Sequence, residues 1–181
     1  MMSSTAANTV LAAGARALLE QRFDRLLSDN SAALGRLAAS YTNTASDRDD
    51  LVQEIAMAVW QALPRFREEC SERTFLFRIA HNRAIDYLAR HRRRGAITND
   101  EVETRDPRPD PEAGLVREQQ GERLLEAVRA LALPYRQVVT LMLEGMDYGE
   151  IAQVLGISES NVGVRLNRAR QMLRGQLEGR K

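Results

Sequence analysis

The stretch of this chain best furnished to hold another molecule is residues 73–94, RTFLFRIAHNRAIDYLARHRRR. Arg78, Asn82 and Asp86 recur at four-residue steps, so on a helix they line one side. A guanidinium and a carboxamide on the same face offer hydrogen-bonding groups to phosphates and base edges. His91 leads into Arg92, Arg93 and Arg94, a strongly cationic end. Phe75 and Phe77, near the start, add flat surfaces on which a nucleobase can stack. This is the chemistry of polyanion recognition rather than of bond making. The competing reading is a core helix with a solvated basic tail.

Acid–base or metal chemistry has to be weighed too. Asp49, Asp50 and Glu54 lie close in sequence, and the chain holds His81 and His91. Asp50 and Glu54 share a helix face, but no histidine stands at ligand spacing to them, and no glycine-rich phosphate cradle occurs. Acids that open a helix are usually caps and solvated faces. The expectation is a protein that is not an enzyme, with no catalytic residue, no metal and no cofactor. Cys70 is the only cysteine; no disulfide framework is possible within the chain, which suits a reducing compartment.

The elements that must position these groups are helical. Residues 73–94 contain no Pro or Gly, and Leu76, Ala80, Ala84, Tyr87 and Leu88 form a face fit to bury. Before them, apolar residues recur from about Ala15 through Leu18, Leu19, Phe23, Leu26 and Leu27, then Leu34, Leu37, Ala38 and Tyr41. Asn30 and Ser31 between these runs could hold a turn or bend, and residues 1–13 read as a frayed tail. The next helix, DDLVQEIAMAVWQAL, spaces Leu51, Ile55, Val59 and Leu63 by four, with Asp47 or Asp49 as its expected cap. Pro64 ends it, and FREECSE, residues 66–72, connects it to the Arg-rich helix.

Charge is segregated along the 181 residues although the formal total is only +1. Residues 83–94 carry five arginines against Asp86, and residues 165–181 carry six basic groups against Glu178. Between these patches, residues 95–114 hold six acids, two arginines and three of the five prolines, without apolar periodicity. That is the composition of a flexible linker, and two basic patches on a tether suit a polyanionic partner. No apolar run approaches the roughly 18 residues that span a bilayer, and no export signal is apparent; the expected location is cytoplasmic.

Past the linker, Leu124, Leu125, Val128 and Leu131 resume the helical period. Pro134 stands where a helix can begin, and Gly145 closes it. Asp147 and Glu150 have capping-box spacing, and Ile151, Ala152, Val154 and Leu155 follow as a buried face. Gly156, Ile157 and Ser158 make the turn into a last helix. There Val162, Leu166, Ala169 and Leu173 face inward, and Ser160, Val164, Arg165, Arg168 and Gln171 largely outward. Two short helices about a glycine turn, the second rich in arginine, form a helix-turn-helix. The start of its second helix enters the major groove. Glu159, Ser160, Asn161, Val164 and Arg165 would lie nearest the bases, with Arg168, Arg170 and Arg174 suited to phosphates.

No strand-like alternation appears, so the predicted fold class is all-α. It comprises a domain over 14–94, a linker over 95–114 and a helix-turn-helix domain over 115–178. Taken together, the two halves resemble an extracytoplasmic-function (ECF) RNA polymerase sigma factor. DDLVQEIAMAVWQAL is similar to the family's polymerase-binding helix, FREECSERTFLFRIAHNRAIDYLARHRRR to its promoter-melting and −10-recognition segment, and LPYRQVVTLMLEGMDYGEIAQVLGISESNVGVRLNRARQMLR to its −35-recognition unit. The resemblance runs from about Phe23 to Leu177, interrupted by the linker.

It implies that Asp50, Leu51, Gln53 and Glu54 contact the beta-prime clamp of RNA polymerase core, with the beta flap as a further docking point. Asn82 would read a base of the opened −10 strand, and the loop from Arg67 to Arg73 would hold a flipped base. Phe75 would supply stacking where the family often has Trp. Arg78, Arg83, Arg90, Arg92, Arg93 and Arg94 would contact the backbone. Ser160, Asn161, Val164, Arg165, Arg168 and Arg170 would engage the −35 element; Gly163 stands where a basic residue is common, and Asn161 where Thr is common. The implied partners are polymerase core and promoter DNA, with room for an anti-sigma factor. The free protein would be a monomer that binds promoters negligibly. The alternative is a stand-alone helix-turn-helix regulator whose N-terminal half senses or dimerises.

Overall fold

The computed structural model describes residues 3–95 and 114–178, with side chains placed over 14–94 and 120–177. The expected linker otherwise lies outside the described residues. Every described element is helical: Ser3–Ala39 (α1), Ala45–Ala62 (α2), Glu72–Gly95 (α3), Gly114–Ala130 (α4), Leu133–Leu143 (α5), Tyr148–Leu155 (α6) and Glu159–Glu178 (α7). A 3-10 turn over Leu63–Arg65 follows α2, with Pro64 in its first positions.

Helices α1, α2 and α3 pack on one another around Leu26, Leu34, Leu37, Leu51, Ile55, Val59, Leu76, Phe77, Ala80 and Ala84. In α2 the inward residues fall at four-residue steps, so a single stripe reaches the core. No turn interrupts α1: Asn30 is buried and its Nδ2 donates to Leu26 O at 2.9 Å. A polar side chain bonded back to the preceding turn satisfies itself without breaking the helix. That is why the expected bend at Asn30 and Ser31 is absent, and the helical backbone begins already at Ser3. The cap of α2 is Thr44, three residues ahead of the expected Asp47, whose backbone N–H donates to Thr44 Oγ1 at 3.1 Å.

The second module forms around Val128, Val138, Leu141, Met146, Ile151, Val162, Leu166 and Ala169. Asp147 caps α6 in the expected reciprocal box with Glu150 (2.8 and 3.0 Å). Gly156 ends α6 at φ 64, a left-handed conformation that glycine adopts without a Cβ penalty. Ser158 Oγ accepts from Asn161 N at 3.3 Å at the head of α7. The two modules are docked, with α6 lying against α3.

Candidate nucleic-acid interface

Helix α3 divides as its periodicity predicts. Leu76, Ala80, Ala84 and Tyr87 are buried, whereas Arg78, Asn82 and Asp86 are all exposed along one side. Its N-terminus is set by Ser71, whose Oγ accepts from Thr74 N at 3.0 Å. Its far end presents Arg92, Arg93 and Arg94 at the surface, beside the helix's negative dipole end, where cations are favoured.

The loop ahead of α3 is held in shape from α1. Arg22 Nε donates to Glu72 Oε1 at 2.6 Å, and its NH2 reaches Glu68 at 3.2 Å. The same guanidinium lies 5.3 Å from the Phe66 ring. The hydrogen bond to Glu72 holds the Arg22 guanidinium above its ordinary pKa. Glu68 takes φ 58, an uncommon conformation for a side chain with a Cβ. Arg67 is exposed on this loop.

Two sequence expectations fail here on packing. Phe77 is fully buried and belongs to the core, so it offers no ring to a nucleobase. Phe75 is half-buried against Phe66, centroids 4.5 Å apart, with part of its ring accessible. Leu51 is likewise fully buried; its side chain supports α2 from beneath and cannot meet a partner. The outward residues of α2 are Asp50, Gln53, the half-covered Glu54, and Met57 at 58% exposure. Met57 was missed in the sequence, although it lies three and four residues beyond Glu54 and Gln53 on the same face.

Glu54 and Arg90, assigned separately to polymerase and to DNA, are paired with each other at 2.6 and 2.8 Å. They border a groove of about 510 Å³ between α2 and α3, also lined by Met57, Gln61, Arg65 and Arg83. Arg83 is half-buried and reaches Asp86 at 3.6 Å.

In the second module, Ser160, Asn161, Val164, Arg168 and Arg170 are exposed on α7, and Arg165 is partly covered. Arg165 Nε donates to Asn161 Oδ1 at 3.0 Å, one helical turn away. This bond holds the guanidinium along the helix start that would face a groove. The buried face of Val162, Leu166 and Ala169 fixes which side that is.

No group of three or more metal-ligating side chains occurs among the described residues. His81 is buried, with its Nε2 3.0 Å from Gln137 Nε2 of α5. Desolvation lowers its pKa to about 4, so it is neutral at physiological pH.

Residues 26–94 match Sigma-70 region 2, and residues 121–173 match Sigma-70, region 4. The RNA polymerase sigma factor CnrH of Cupriavidus metallidurans is 31% identical, over 98% of this chain and 97% of its own. The chain belongs to the RNA polymerase sigma factors. The ECF RNA polymerase sigma factor SigE of Mycolicibacterium smegmatis is 31% identical, over 86% of this chain and 61% of its own. The solved structure of CnrH in complex with the cytosolic domain of CnrY superposes with a TM-score of 0.70. It is 28% identical and covers 95% of this chain and 97% of that one.

This protein is therefore an ECF sigma factor, which binds RNA polymerase core and promoter DNA and directs promoter-specific initiation. The stand-alone regulator is not favoured. Sigma factors are generally non-enzymatic regulators of transcription. Among the described residues, no helix is long and apolar enough to cross a membrane.

Proposed function

We propose that α2 and α3 divide promoter opening between them. The outward face of α2 (Asp50, Gln53, Glu54 and Met57) meets the beta-prime clamp of polymerase core. On α3, Asn82 reads a base of the opened −10 strand while Arg78, Arg83 and Arg92–Arg94 follow its backbone. The braced loop from Arg67 to Arg73, with Phe75 beside it, receives a flipped base. The start of α7 (Ser160, Asn161, Val164 and Arg165) reads the −35 element in the major groove, and Arg168 and Arg170 hold phosphates.

The single observation supporting this most strongly is the exposed stripe Arg78–Asn82–Asp86 opposite a fully buried face. That division leaves the polar groups no role in the core. Separating stacked base pairs costs about 1.4 kcal/mol per step. Without a nucleotide motor, stacking on a ring (roughly 1–3 kcal/mol per base) and cationic tracking must offset that cost. Half-buried Phe75 provides one ring edge, so several opened steps need the polymerase as well. The protein performs no catalysis of its own and works in the cytoplasm; an anti-sigma factor is a further partner, a reading supported by the solved complex of CnrH with the cytosolic domain of CnrY.

Run-off transcription with polymerase core on a promoter library tests the assignment. Asn82→Ala should lower transcription from cognate promoters while leaving polymerase association intact. Loss of association instead would remove Asn82 from strand reading, and tight duplex binding without polymerase would revive the stand-alone regulator.

A further inference from the structure

One exposed side chain at the start of α7 offers no hydrogen bond. Val164 is 49% exposed and stands among Ser160, Asn161, Arg165, Asn167 and Arg168, the polar groups on the outer side of the helix. Lone apolar residues are ordinary on a protein surface, but Val164 is not alone. The residue before it is Gly163, which puts no side chain on the helix. Glycine inside a helix costs stability, and Gly163 has no positive φ that would require it. What the missing side chain leaves is space. Beyond the local backbone and its chain neighbours, a Cβ at Gly163 would meet one described atom within 4 Å, Tyr148 Cε2 at 3.5 Å. Tyr148 opens α6 and is 39% exposed. Bare backbone, ring edge and isopropyl group form an apolar notch. Ser160, three residues before Gly163, and Asn167, four beyond it, border the notch along the helix.

What a base pair shows in the major groove decides what such a notch accepts. Guanine, adenine and cytosine present hydrogen-bonding edges there, whereas thymine adds its C5 methyl group. A polar edge set against valine loses water without gaining a partner, which is unfavourable. A methyl group set there gains contact and leaves water. The bare backbone at Gly163 lets the base edge approach closely. Neighbouring groups fix the register: Arg165 Nε donates to Asn161 Oδ1 at 3.0 Å. Asn161, Val164, Arg165 and Arg168 have the spacing of a single helix face.

We infer that Gly163, Val164 and Tyr148 form a receptor for the C5 methyl group of a pyrimidine in the −35 element. In unmodified DNA that pyrimidine is thymine; 5-methylcytosine presents the same group. This inference rests on the proposed reading of the −35 element by α7 and names the base that Val164 selects.

The test uses holoenzyme assembled from polymerase core and the full chain, on a promoter taken from the run-off library. Each thymine of the −35 element, on either strand, is replaced in turn by uracil, which deletes the methyl group and keeps the pairing. Uracil at one position should weaken equilibrium binding about fourfold, the value of one buried methyl group. With a cytosine–guanine pair at that position, 5-methylation of the cytosine should tighten binding by a similar factor. Val164→Ser, a surface change that leaves the buried face of α7 intact, should make thymine and uracil equivalent there. Gly163→Gln, which covers the bare backbone with a polar chain, should reduce the discrimination as well.

Absence of any uracil-sensitive position, or a sensitive position that Val164→Ser leaves unaltered, would overturn the methyl receptor. A response to 5-methylcytosine without a uracil-sensitive thymine would overturn thymine as its occupant. Arg165→Ala separates this inference from the reading beneath it. If that variant relaxes the −35 preference while no thymine responds to uracil, α7 reads the element and the receptor alone falls. If it too changes nothing, the −35 assignment of α7 falls with it.

Discussion

Acid should weaken the first module through one side chain. His81 is 5% exposed, faces Tyr41 in an edge-on ring contact with centroids 6.2 Å apart, and has an Nδ1 with no hydrogen-bond partner among the described groups. Burial lowers its pKa to about 4 from an ordinary 6.5. Between those values the unfolded chain carries a proton that the folded chain refuses. Stability therefore rises with pH in this window and is lost as pH falls from about 6.5 toward 4. Evaluated at pH 5 against pH 8, the difference for this histidine is about 2 kcal/mol. With urea slopes of about 1–3 kcal/mol per molar, that shifts an unfolding midpoint by roughly 1 M.

Trp60, the single tryptophan, packs edge-on against Phe23 at 5.1 Å within the same module, so its fluorescence follows this module. Urea unfolding at pH 8 and pH 5 should be run on the wild type and on His81→Gln. The carboxylates are common to both proteins, so the difference between their pH dependences isolates His81. The wild type should lose about 2 kcal/mol more than the variant over this interval. Equal losses in the two proteins would refute the claim that His81 is held neutral by burial.

Three further outcomes follow from the site. Phe77→Ala should destabilise the first module by about 3–5 kcal/mol, the cost of emptying a buried aromatic site. Phe75→Ala should cost less and act mainly on promoter opening; equal urea midpoints for the two variants would contradict the division. Glu54→Lys sets a cation against Arg90 and should weaken the polymerase complex; an unaltered Kd would count against the clamp assignment. The Glu54–Arg90 pair is partly solvated, so its loss should change stability by less than about 1 kcal/mol. Arg165→Ala should relax preference at one −35 position by about 1–3 kcal/mol, read from binding to mutated sites; unchanged preference would remove Arg165 from the readout.

Much of the chain was readable because helical periodicity is local. The buried face of α3, the Asp147–Glu150 box and the inward line Val162–Leu166–Ala169 each follow from spacing within a few turns, and the structure has them where the period puts them. The failures had two origins, one local and one tertiary. Asn30 and Ser31 have the residue types of a turn, but a side-chain bond to the preceding turn kept α1 continuous. Phe75 and Phe77 are alike as residue types. Only the position of α1 and α2 around α3 decides that Phe77 is interior and Phe75 half-exposed.

The amino-acid order by itself determined an all-α chain, two modules that each carry a basic patch, and which face of each recognition helix is polar, since 3.6-residue geometry converts spacing directly into sides. Tertiary structure alone decided the pairings between distant charges: Arg22 with Glu72, Glu54 with Arg90, and Arg36 with Glu144, 108 residues apart. An ion pair at that separation leaves no periodic trace in the sequence, because either residue would look the same on a solvated surface. Glu144 became visible only when the two modules came together and covered it.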